Sequence, residues 1–86
     1  MAGLPTVADL RRVGTINSQE IVAAIDAYMR DPAAGPHRFA SGHSLDLAAL
    51  VSASPAFVMV ERSGPQEKGF RTLLAAAIMA AHPTPP

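Results

Sequence analysis

The 86-residue sequence contains no cysteine, so disulfides and thiolate chemistry are excluded. Tryptophan is also absent, and much of the 49% apolar share is alanine, which buries little area per residue. A chain of this length fits one domain, and it buries only about 60–65% of its unfolded surface. We therefore expect one domain of modest stability over residues 1–82.

The chain has no excess of charge of either sign, because Lys plus Arg and Asp plus Glu are each 7. A protein that neutralises many phosphates normally carries a basic excess, so nucleic acid is an unlikely partner. Long apolar runs are missing too, since "LLAAAIMAA" covers about half the ~20 residues that span a bilayer. The start "MAGLPTVADLRR" does not look like a signal peptide. We expect a soluble, cytoplasmic protein with no membrane partner.

What the sequence does contain is a set of helix-start signals. Thr6 followed by Asp9 predicts a first helix over residues 7–13. Asn17 and Glu20 form a stronger capping box, which predicts a second helix over residues 18–30. The apolar positions of this second helix recur at helical spacing, at Ile21, Ala24, Ile25, Tyr28 and Met29.

Asp26 and Arg30 are four residues apart on the second helix and are predicted to form an ion pair. Pro32 ends the helix, because the residue before a proline is pushed out of the helical region. The following segment, 32–44, is rich in proline and glycine and is predicted to be a loop. Phe39 is its one aromatic residue and is expected to attach the loop to the core.

The next two helices are predicted to meet in a tight corner. Ser44 is the predicted cap of a helix over residues 45–53. Ser54 and Pro55 then start a short fourth helix, since proline is favoured at the first helical position. A strand over residues 56–61 is the alternative, because several of its residues are β-branched or aromatic.

The last predicted helix follows a turn in which Ser63 and Gln66 could form a capping box. Its apolar residues recur with helical period at Phe70, Leu73, Leu74, Ala77, Ile78 and Ala81. It is apolar nearly all round, so it is either buried or packed against another chain. His82 is expected to meet the free carbonyls at its end, and residues 83–86 to form an extended proline-rich tail. The fold class predicted is all-α, a single small bundle of four to five helices.

Ala48, Ser52 and Val58 have the spacing of the small, turn and branched apolar positions of a helix-turn-helix. On these residues, the segment 44–80 resembles helix-turn-helix proteins of the Cro and repressor type. That resemblance implies a helix-turn-helix corner and a DNA-binding regulator. The basic residues it would offer to DNA are Arg62, Lys68 and Arg71.

The segment departs from that family at the positions that would read DNA. Phe57, Met59 and their neighbours Ala56 and Val60 are apolar, whereas base edges are read by polar or charged side chains. Glu61 also stands where the family has a buried apolar residue. A core role for the apolar stretch is the plain alternative.

Signatures of catalysis and metal binding are weak. His37 and His43 are six residues apart in the predicted loop, and Asp46 could join them, but close ligand pairs and cysteine are missing. Ser41 beside His43 lacks a recognisable oxyanion hole or nucleophile elbow. We therefore predict a non-enzymatic protein with no cofactor and no metal.

The leading hypothesis is a small regulator, adaptor or inhibitor that binds another protein, with self-association as one form of that binding. It rests on the neutral charge and on more apolar helix surface than the size requires. The contact residues predicted are Phe57, Met59, Leu74, Ile78 and Met79. The alternative is the helix-turn-helix DNA-binding regulator described above.

Overall fold

A computed structural model of the protein describes residues 4–33 and 35–86, and this part of the chain is mostly helical. Its elements, in chain order, are α1 (Val7–Arg12), α2 (Ser18–Arg30), β1 (His37–Arg38), β2 (Ser44–Leu45), α3 (Leu47–Ala53), a 3₁₀ helix (Pro55–Met59), a second 3₁₀ turn (Gly64–Gln66) and α4 (Glu67–Ala80). The Pro55–Met59 segment is called the corner helix below.

Both N-terminal capping boxes predicted from the sequence are present. The Thr6 hydroxyl accepts a hydrogen bond from the Asp9 N–H, and the Asp9 carboxylate accepts one from the Thr6 N–H. Asn17 and Glu20 exchange the same pair of bonds, at 2.9 and 3.0 Å. Each box satisfies two donors that a helix start leaves without partners. The start and end of α2 are as predicted, while α1 ends one residue earlier than expected.

The predicted loop contains a small β-hairpin, which corrects the all-α expectation. β1 and β2 pair antiparallel, with His37 opposite Leu45 and Arg38 opposite Ser44. Phe39 is 2% exposed, so its predicted role of attaching this segment to the core is confirmed. Gly42 has a φ of 93°, a conformation that favours glycine in the tight turn.

The hairpin also changes the start of the third helix. Ser44 is in β2 and is not a cap; the cap of α3 is Asp46, whose carboxylate accepts a hydrogen bond from the Ala49 N–H. The Ser44 backbone is instead paired with Thr84, through bonds of 3.0 and 2.7 Å. Because α3 begins at Leu47, the residue directly before it is Asp46, and Ser44 lies too early in the chain to cap it.

The C-terminal residues lie against the hairpin. Pro83 is buried, and a Cβ added at Gly42 would be 2.7 Å from the Cβ of Pro86. His82 does not bond the end of its own helix as predicted, because its Nδ1 lies 2.7 Å from the carbonyl oxygen of Leu4. The proline-rich segment therefore contacts the rest of the molecule directly.

The corner helix and the turn after it differ from the sequence predictions in two further respects. The strand alternative for residues 56–61 is wrong, since the corner helix occupies most of that range. Ser63 makes no capping hydrogen bond, and the Gln66 side chain accepts one from the Glu61 N–H at 2.7 Å. Gln66 thus bonds the backbone of the segment between the two 3₁₀ elements and does not complete a capping box.

α4 is the element that the others pack around. It contacts α1, α2, α3 and the corner helix, and it buries Phe70, Leu74 and Ile78. Contact on several sides accounts for much of its unusual apolar width. The buried core as a whole comprises Val7, Leu10, Ile16, Ile21, Ala24, Ile25, Phe39, Leu45, Leu47, Phe57, Phe70, Leu74 and Ile78.

Candidate protein-binding surface

The corner helix follows α3 after a single residue. Ser54 is both the last cap of α3 and the first cap of the corner helix, and Pro55 occupies the first helical position. The corner helix is closed by two backbone bonds of 3.4 Å, from Phe57 N–H to Ser54 and from Val60 N–H to Phe57. No side chain caps it. The bonds at its two ends are therefore long, and packing contributes to holding it in position.

That packing comes from one aromatic side chain. Phe57 is 7% exposed and its ring centroid lies 5.1 Å from that of Phe70, at a tilted angle. Phe70 is in turn stacked with Tyr28 of α2, at 6.2 Å. Aromatic pairs at such distances add to the stabilisation from area burial. Phe57 thus connects the corner helix to α4 and, through it, to α2.

The two residues after Phe57 face the solvent. Val58 is 83% exposed and Met59 is 80% exposed, the two highest values among the large apolar side chains described. Other exposed apolar residues, such as Leu4, Val13 and Val22, are not adjacent to one another in the sequence. Single exposed apolar residues are normal on soluble proteins, whereas contiguous exposed apolar patches mark interaction sites.

The predicted contact residues separate into two groups. Phe57, Leu74 and Ile78 are core residues, so the expectation that they contact a partner is not supported in this conformation. Their physical role is the packing of α4 and the corner helix. Met59 is exposed as that hypothesis requires, and Met79 is half-buried against the core.

Val58 was missed by the sequence prediction, although a signal for it exists. A 3₁₀ helix has three residues per turn, so residues three apart share a side. In a five-residue segment, few side chains can therefore face the core together. Once Phe57 occupies the core, its two following neighbours point elsewhere. The Ser-Pro start did predict a short helix here, but it did not show which of its side chains would face the core.

The predicted basic residues are only partly brought together. Arg62 and Arg71 line one open groove, and Lys68 is not among its lining residues. Arg71 is already paired, with Asp26 at 2.7 Å and with Glu67 at 3.3 Å. The hydrogen bond with Asp26 is the main cause that raises the pKa of Arg71 above its ordinary value. The predicted Asp26–Arg30 pair is therefore wrong, because Arg71 from α4 takes the Asp26 carboxylate.

The histidines of the hairpin have structural partners. The Ser41 hydroxyl lies 2.7 Å from His43 Nδ1, and the His37 ring packs edge-on against Phe39 at 5.0 Å. Partial burial lowers the pKa of His37, with the Glu20 carboxylate acting in the opposite direction. Residues 4–33 and 35–86 contain no group of three His, Asp or Glu side chains placed to hold a metal ion.

A small cavity of about 80 Å³ lies between the end of α2 and the hairpin, and Tyr28, His37 and Leu47 contribute to its walls. Within the described ranges, no helix has the length and apolar character needed to cross a membrane.

Comparison with known proteins gives no further guide, since no family model, no curated protein and no solved structure matches the chain. The function of the chain is therefore inferred from the geometry of its described residues.

Proposed function

We propose that this chain is a small non-enzymatic protein that acts by binding another protein, as a regulator, adaptor or inhibitor. The binding surface is centred on Val58 and Met59 of the corner helix. The observation that carries the proposal is the exposure of these two adjoining apolar side chains on a segment whose position Phe57 fixes.

Val58 and Met59 would supply part of the free energy of binding. Burying a Val or Met side chain that was exposed is worth about 1.5–3 kcal/mol each. Association must offset the loss of translational and rotational freedom, at about 4–15 kcal/mol, and the ordering of flexible side chains, at about 0.5–1.5 kcal/mol each. The burial of Phe57 already orders the backbone of the corner helix, so less ordering remains for a partner to impose. Methionine adds an adaptable contact, because its side chain is unbranched and polarizable.

Crosslinking from the proposed surface tests this function. A photoreactive residue replaces Met59 in one variant and Val22, an exposed apolar residue of α2, in a matched control. We expect a discrete protein adduct from position 59 in an extract of the native host, and its loss when Val58→Ser is added. Equal adducts from both positions, or none from position 59, would contradict the proposal.

Self-association is the form of binding that can be tested with the purified chain. Sedimentation from micromolar to millimolar concentration should show a concentration-dependent dimer if the partner is a second copy. The Val58→Ser and Met59→Ser double variant should then be monomeric, and a Val13→Ser and Val22→Ser double variant should still dimerise. A monomer at all concentrations would leave a different protein as the partner.

The DNA-binding alternative, with a helix-turn-helix-like corner in a small helical bundle, has less support. The segment at the reading position is a five-residue 3₁₀ helix with Val58 and Met59 at its surface. Arg71, one of its three predicted DNA contacts, is paired with two carboxylates. Gel-shift titration with duplex DNA at low salt tests this alternative, and salt-sensitive binding by Arg62 and Lys68 would support it.

A further inference from the structure

An open groove of about 450 Å³ lies between α2 and the start of α4, on a part of the molecule that the proposed function does not use. Its walls are Asp26, Met29 and Arg30 from α2, Arg62 and Ser63 from the segment after the corner helix, and Glu67 and Arg71 from α4. It is called the arginine groove below.

Only one of the three arginines that line the arginine groove forms salt bridges within the described residues. Arg71 binds both carboxylates of the groove, Asp26 and Glu67. Because Asp26 is taken by Arg71, its neighbour four residues along, Arg30, is left without the partner that the sequence suggests. Within residues 4–33 and 35–86, neither Arg30 nor Arg62 has a carboxylate oxygen within 4.0 Å. Three guanidinium groups against two carboxylates give the groove a net charge of +1.

We propose that the arginine groove binds a carboxylate side chain of an acidic protein segment, with Arg30 and Arg62 as the groups that hold it. A guanidinium presents a planar pair of N–H donors that matches a carboxylate bidentately. The Ser63 hydroxyl is a further donor in the groove wall, and Met29 provides an apolar surface for the methylenes of a glutamate.

The charge balance distinguishes a carboxylate from a phosphate backbone. One carboxylate neutralises the net charge of the groove, whereas each further anion meets Asp26 and Glu67 in the same walls. Like charges brought together at a binding surface oppose association. The chain as a whole is also neutral, which provides no long-range attraction for a polyanion. An acidic protein segment with spaced carboxylates therefore fits better than a nucleic acid.

NMR titration of the ¹⁵N-labelled full chain tests the inference, because arginine Nε–H resonances report on each guanidinium. The probe is a capped tripeptide with one central glutamate, and its counterpart with a central glutamine is the neutral control. We expect saturable shifts of Arg30, Arg62 and Ser63 with the first peptide and none with the second.

The variants Arg30→Gln and Arg62→Gln should each weaken binding by about threefold to tenfold, as expected for partly exposed charged pairs. Arg38→Gln, at an exposed position on β1 outside the groove, removes the same charge and should leave the affinity unchanged. The fingerprint of backbone amides should stay the same in all three, which shows that they remain folded.

Four results would overturn the inference: no saturable shift at millimolar peptide, equal binding of the glutamine peptide, equal weakening by Arg38→Gln, and tighter binding of inorganic phosphate or of a short DNA duplex at the same salt concentration. The last would assign the groove to phosphate groups. None of these results depends on Val58 or Met59, so the arginine groove and the proposed function stand or fall separately.

Discussion

α2 and the corner helix both begin at a strong start signal, yet different interactions hold them. α2 has 13 residues, a complete capping box and a buried face. The corner helix has five residues, no side-chain cap and one buried residue, Phe57. The first is stabilised by a capping box together with a buried face, and the second mainly by the burial of one aromatic side chain. A segment held at one point leaves its other side chains free for a partner.

The largest effect should come from removing that one contact. Phe57→Ala should lower the free energy of unfolding by about 3 kcal/mol, since it deletes a buried aromatic side chain. Met59→Ala, two residues along, should change it by less than about 0.5 kcal/mol because Met59 is exposed. Urea denaturation measures both. Similar values for the two variants would mean that the corner helix is not held by Phe57.

Loss of a helix cap should have an intermediate effect. Asn17→Ala should cost about 1 kcal/mol, because the Glu20 N–H loses its acceptor. Ser63→Ala should be within about 0.5 kcal/mol of the parent protein, since Ser63 makes no capping bond. Asn17→Asp keeps an acceptor and serves as the control. If Ser63→Ala lowered the free energy of unfolding more than Asn17→Ala, the capping bond of Asn17 would not be the stronger of the two helix-start interactions.

The smallest effect concerns Glu20, whose carboxylate joins the start of α2 to the hairpin. Hydrogen bonds from the Asn17 N–H and then the Ala40 N–H lower the pKa of Glu20 from its ordinary value of 4.5. A group with a lowered folded-state pKa stabilises the fold above its unfolded pKa. That contribution is lost as the pH falls through the folded value. Glu20→Gln should therefore destabilise the protein at neutral pH.

The difference in urea midpoint between the parent protein and Glu20→Gln should shrink as the pH falls below about 4.5. Glu61→Gln is the control, because Glu61 is exposed and only its backbone N–H is in a hydrogen bond within the described residues. A midpoint difference for Glu20→Gln that stays constant down to about pH 3 would show that ionisation of Glu20 is not involved.

The sequence predicted the parts of the fold that depend on neighbouring residues. Thr6 with Asp9, and Asn17 with Glu20, are three residues apart, so each start is encoded locally. The hairpin was missed because strands of two residues are too short to show alternation. The Asp26–Arg71 pair joins residues 45 positions apart, and no local spacing reveals it.

The candidate site was harder to predict than the fold, for a related reason. The residues of "AFVMV" are all apolar, so hydrophobicity does not show which of them enters the core. The helix type decides it. The 3₁₀ geometry places Phe57 inward and leaves Val58 and Met59 outside. Leu74 and Ile78 followed the helical period of the core face, and their burial agrees with that period.

The hydrogen bonds that join the two ends of the described chain have a consequence for how the protein folds. His82 bonds the carbonyl of Leu4 across 78 positions, and the Val7 N–H bonds Ala81 nearby. Closing so long a loop costs chain entropy that grows with its length, and contacts of this kind slow folding. α1 and α2 can each start from a local capping box, whereas the bonds between the end of α4 and the start of α1 need the chain to close over most of its length. We therefore expect the contacts between Leu4 and His82 and between Val7 and Ala81 to form late in folding.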